Sequence, residues 1–162
     1  MVDVVIAHVV GTVALIVIFF VAGTYYANVY GFLQAEVEAN KLEEIADHVA
    51  SNIVDLVSLS YLVTGDNILN KTITLPKGVG DDIYTVNVLN FSDPVTGEIL
   101  YAVRAYLTLN PSVYRDSELP WTSGGRLTVD PTASSISGGV ENTIVWCRKT
   151  GDNIKIGFAI GG

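Results

Sequence analysis

The sequence predicts an α+β protein: a long N-terminal helix, apolar in its first half and amphipathic in its second, packed on a C-terminal antiparallel β-sheet or β-sandwich head. Three observations predict it. Val4–Gly23 is a run of 20 residues whose only polar members are His8 and Thr12. From Tyr25 to Leu62 there is no Pro and a single Gly, and apolar residues recur at three-four spacing. After Asp66 the apolar period changes from the helical one to two, the alternation of a half-buried strand.

At a rise of 1.5 Å per residue, the 20-residue run spans about 30 Å, the thickness of a bilayer's hydrocarbon core. A cleavable secretory signal would carry a basic leader, a shorter apolar stretch and a small-residue cleavage site. Here no Lys or Arg precedes Lys41, and "VAG" at 21–23 is a poor cleavage site. The run is therefore expected to be a membrane anchor or a helix that packs against copies of itself. Neither flank is basic, so the loop-charge rule gives no orientation.

The helix is expected to continue to about Val63. In "FLQAEVEANKLEEIADHVASNIVDLVSLSYLV" (32–63) the stripe Leu42, Ile45, Val49, Ile53, Leu56 marks the face that packs on the head. Glu43, Glu44, Asp47, Asn52 and Asp55 fill the opposite face. "TGDN" at 64–67 ends it, with Gly65 placed to cap the C-terminus. The domain reading is a helical stalk over 1–63 (apolar 4–27, amphipathic 28–63) and a β-rich head over 66–162. Strands are expected at 70–76, 82–91, 98–109, 125–129, 142–149 and 153–160. "SDPVTG" (92–97), "TGDN" (150–153) and "PTASSISGG" (131–139) are the turns. The first and last pairs read as hairpins.

Small residues recur along the helix at intervals of four. Gly23, Ala27, Gly31, Ala35 and Ala39 do so without a break, and Ala7 and Gly11 share the spacing further up. Residues four apart lie on one ridge, and a Gly/Ala ridge lets a second helix backbone approach closely. An interior Gly costs about 1 kcal/mol in helix propensity relative to Ala, a cost that close packing would offset. These seven positions are the expected helix–helix assembly surface.

Charge and motif content exclude several classes. The net charge is −8, with seven acids and one base in residues 1–62, so there is no basic stripe for nucleic acid or for anionic lipid. The two histidines, His8 and His48, lie forty residues apart on one helix. The lone Cys147 sits in a strand and reads as a small buried hydrophobe. No His, Cys and carboxylate spacing suits a metal, and "SGG" at 123–125 and 137–139 lacks the context and the Lys of a phosphate loop. The residues thus point to no catalytic group, metal or cofactor. His8 and Thr12 are one turn apart at membrane depth, where polar groups usually face partners. Two sequons, at Asn70 and Asn90, become glycosylation candidates if the head is extracellular; "NPS" at 110–112 is excluded by its Pro.

An uninterrupted apolar helix, "VVIAHVVGTVALIVIFFVAG", that turns amphipathic and joins a β-rich head resembles type IV pilins. Within them it resembles the archaeal pilins and archaellins. "ITLPKGVGDDIYTVNV" (73–88) is similar to a strand-turn-strand of archaeal pilin-like heads. The resemblance covers the whole chain at the level of architecture. It implies that a short basic leader has been cut off just before the apolar helix. Bacterial members carry a glutamate near the start of that helix, where this chain has Val5 with Asp3 as the nearest acid. The implied function is structural. The chain would be inserted in the membrane first and then polymerise as a homo-oligomeric helical filament outside the cell, serving adhesion, surface attachment or motility, with a surface or a cell receptor as a further partner. The alternative is a monotopic, membrane-anchored envelope protein with an extracellular β-sandwich, similar to archaellum stator proteins.

Overall fold

The computed structural model describes residues 2–93, 95–122 and 125–161, with side chains from His8 onward. The chain is α+β. Among the described residues, helix α1 (Val2–Leu62) is followed by β1 (Asn67–Ile73), β2 (Tyr84–Ser92), β3 (Ile99–Leu107), β4 (Tyr114–Thr122), β5 (Leu127–Val129), β6 (Ser135–Ser137), β7 (Thr143–Thr150) and β8 (Asn153–Ile160). Two compact units divide at Val37/Glu38, within α1, rather than at its end.

The second unit, 38–162, is two four-stranded sheets, ordered β1-β7-β8-β5 and β4-β3-β2-β6. Every pair is antiparallel except β5 with β8. The last hairpin forms as expected. Thr150 pairs with Asn153, and Gly151 stands first of the two loop residues at φ 59°, the place where a two-residue loop of one favoured type puts its glycine. Asp93 organises the β2–β3 turn: its carboxylate accepts Val95 N–H and Thr96 Oγ1–H, both at 2.8 Å. These bonds, Val95 foremost, hold its carboxyl below the usual carboxylate range.

The expected first hairpin does not form. β1 pairs with β7 and β2 with β3, so the 73–88 stretch crosses from one sheet to the other. Pro76 lies just past β1 and has no N–H to offer a ladder. Its carbonyl instead accepts Tyr84 Oη–H at 2.8 Å and Gly139 N–H at 3.0 Å, and Val79 and Asp82 bond reciprocally across the crossing. Burial pushes the Tyr84 phenol up to about 12. Two strands, β4 and β6, fall where none was expected.

The amphipathic part of α1 is built into this unit. Leu42, Ile45, Val49, Ile53 and Leu56 are buried, joined by Ala46, Ala50 and Val57. They share one core with Val86, Val88 and Val103 of one sheet and Val145, Ile154 and Ile156 of the other. Asp55 pairs with Lys71 of β1 at 3.4 Å and Glu43 with Arg115 of β4 at 3.8 Å. Both strands are sheet edges, so these ion pairs tie this part of the helix to one edge of each sheet. Lys149 of β7 donates its ammonium to the carbonyls of Ser60 (3.1 Å) and Val63 (2.9 Å). The helix has no basic residue in its own last turn, and this cation meets the carbonyls that the helix end leaves unpaired. Gly65, at φ 84°, turns the chain off toward β1. Asn52 departs from the expected polar face: it is buried, its amide donating to the His48 carbonyl at 2.6 Å.

Candidate assembly surface

In the first unit the described side chains belong to α1 alone. From His8 to Val37 every residue but Ala22 is exposed. Its large apolar side chains are 38% to 77% exposed, with Phe19 (77%), Phe20 (74%) and Phe32 (72%) the most open. By length and composition the helix could cross a membrane, with a mean hydropathy of 2.1 over its most apolar window. Thirteen large apolar side chains lie between Val4 and Val21. Holding each out of water is worth roughly 1.5–3 kcal/mol, so leaving this surface wet would cost on the order of 20–40 kcal/mol.

The threonine hydroxyls in and just past the apolar run are met locally. Thr12 Oγ1 donates to the His8 carbonyl and Thr24 Oγ1 to the Phe20 carbonyl, each at 2.8 Å. Both hydroxyls thereby become compatible with a dry environment. Among the described residues no bond reaches the His8 ring.

The small-residue ridge divides into two parts. Gly11, Gly23, Ala27, Gly31 and Ala35 are exposed. A methyl group added at Gly11, Gly23 or Gly31 would touch nothing within 4 Å. Nothing among the described residues therefore calls for glycine at these positions. Ala39 is a correction: it is 6% exposed, already enclosed in the second unit, so the open ridge ends at Ala35. The side chain of Ala7 lies outside the described residues.

The remaining candidates divide similarly. Cys147 is fully buried, and burial raises its thiol pKa against a smaller opposing bond from Ser60; a thiol so placed is not a nucleophile. In the "SGG" at 137–139, Gly138 lies against the Tyr84 ring, where a Cβ would come within 2.3 Å of Cε1. The other "SGG" lies partly outside the described residues. Asn70, in β1, and Asn90, in β2, are both exposed.

The sequence reading passed over a cluster at the end of the apolar run. Tyr25 (66% exposed), Tyr26 (71%) and Tyr30 (71%) stand within two turns, the first two rings in edge contact with centroids 6.1 Å apart. Their signal was in plain view as three aromatic residues with polar tips just past a bilayer-length run.

The structure thus defines an α+β chain with a long, apolar N-terminal helix able by length to cross a membrane. No protein-family model, curated protein or solved structure matches it.

Proposed function

We propose that this chain is a structural, non-enzymatic subunit of an extracellular helical filament. It is held in the membrane by the apolar part of α1 before assembly and polymerises through that same surface. One observation carries the reading: from His8 to Val37 the helix presents large, exposed apolar side chains on all sides. Such a surface requires either lipid or other copies of itself. The open glycines, unexplained by any contact among the described residues, favour close helix neighbours. The resemblance to archaeal pilins and archaellins points the same way.

Electron microscopy of sheared cell-surface material tests it. Thin helical filaments containing this chain are the expected result. A second reading, a monotopic envelope protein anchored by the same helix, rests on the length match to a bilayer. Recovery only from detergent-solubilised membrane would favour it over the filament.

A further inference from the structure

We propose that Tyr25, Tyr26 and Tyr30 form an interfacial collar that sets the depth of α1 in a lipid bilayer. This rests on the membrane-inserted state of the reading above and adds to it where the bilayer ends. No Asp, Glu, Lys or Arg occurs between Asp3 and Glu36, so the charge-free stretch is longer than a bilayer needs and does not by itself fix a depth.

The tyrosines do. The run Val4–Gly23 fills about 30 Å, and Tyr25, Tyr26 and Tyr30 occupy the next turn or two, where the headgroup layer would lie. All three rings are exposed, and Asn28 and Gln34 lie among and just beyond them. An aromatic body with a polar tip is most favourably placed at that boundary, half in hydrocarbon and half hydrated. The usual alternative, a basic flank, is missing, since the first cation after the run is Lys41. At about 100° per residue, Tyr25, Tyr26 and Tyr30 fall within an arc of about 140°. The ridge Gly23, Ala27, Gly31 is centred about 130° further round, with Tyr30 about 20° from its Gly23 edge in projection, so the collar adjoins the close-packing face without overlapping it.

Depth measurement on the full chain in phosphatidylcholine vesicles tests this. Nitroxide labels are attached to Val17→Cys, Tyr26→Cys and Glu36→Cys, and their relative accessibility to oxygen and to a water-soluble nickel chelate is read. The unsubstituted chain, with Cys147 buried, should take up no label. The expected order is label 17 in hydrocarbon, label 26 at the headgroup boundary and label 36 in water. Replacing all three tyrosines by Leu should draw label 36 toward the bilayer by about one helical turn, roughly 5 Å. Replacing them by Trp should leave it in place. A label at 26 as deep as that at 17, or a Leu variant with an unmoved label 36, would overturn the collar while leaving the membrane-inserted state intact. A full chain that does not associate with vesicles would overturn both.

Discussion

Two glycines show how a residue's surroundings decide its meaning. Gly138 has no room: a Cβ there would run into the Tyr84 ring, whose hydroxyl is committed to the Pro76 carbonyl. Gly138→Ala should therefore destabilise the head by about 1–3 kcal/mol, the usual cost of overpacking, read as a lower midpoint in urea. A Cβ at Gly31 would meet nothing within 4 Å, so Gly31→Leu should leave that midpoint unchanged. Under the filament reading the same substitution blocks assembly, because the large side chain would stand where a neighbouring helix needs to approach. Normal filaments from Gly31→Leu subunits would remove the ridge as an interface. Asp130 is a third case. The Lys155 ammonium, 2.9 Å away, and then Thr132 hold its carboxyl down at about 2, against an ordinary 3.8. A carboxyl lowered on folding stabilises the native state at neutral pH. It loses that contribution as pH falls from about 4 through 2. Asp130→Asn should accordingly melt at a lower temperature than the parent at pH 7, and the gap should close near pH 2. A gap that stays constant from pH 7 to pH 2 would mean that the carboxylate's charge plays no part.

Among the elements, long periodic segments were legible and short or irregular ones were not. The amphipathic part of α1 announces itself because Leu42, Val49 and Leu56 repeat at seven, and the structure buries all three. β7 alternates cleanly up to the Gly151 turn, and β8 alternates over Asn153–Ile156 just after it. β4 was illegible because "YRDSELPWT" carries three charges and Pro120. It is an edge strand, whose outer ladder positions tolerate proline, and its register with β3 shifts between Leu100 and Ala102. β6 has three residues inside a Gly/Ser-rich loop, too few for any period to show. The pairing of β1 with β7 is a contact between segments some 75 residues apart, which local pattern cannot specify. Asn52 deceived for another reason: an amide that bonds its own helix backbone can be buried on a face where charged residues cannot. Lys149 was equally hidden, since nothing near the helix end in sequence supplies a cation. Lys149→Met should keep the stem's packing but remove the charge on the Ser60 and Val63 carbonyls. A loss of about 1 kcal/mol in head stability is expected, measured by urea unfolding. An unchanged midpoint would show that Gly65 and water suffice to end the helix.

At the scale of the whole molecule, the two units have opposite relations to water, and this bears on where the chain can exist. The second unit encloses its own core: the buried residues of α1 from Ala39 onward meet both sheets, and polar side chains cover much of the outside. In the first unit no described side chain is buried. Its apolar surface, worth on the order of 20–40 kcal/mol of avoided hydration, exceeds the whole folding stability of an ordinary domain, about 5–15 kcal/mol. Among the described residues these side chains stay exposed, so the isolated full chain in water is not a viable state. Bilayer and helix bundle are both dry, and transfer between them has little hydrophobic driving force. Close packing along the open ridge and contacts between heads would have to decide between them. The boundary at Val37/Glu38 fixes where to cut. Removing residues 1–25 alone leaves Tyr26, Tyr30 and Phe32 in water, each more than 70% exposed, whereas removing 1–37 leaves the core whole. Residues 38–162 should be a folded, soluble monomer by size-exclusion chromatography with light scattering. The full chain should be recovered only in filaments, membranes or detergent. A detergent-free monomer of the full chain would sink the filament and the anchor readings together. Aggregation of residues 38–162 would mean instead that the head relies on the preceding helix, or on neighbouring copies, to cover part of its surface.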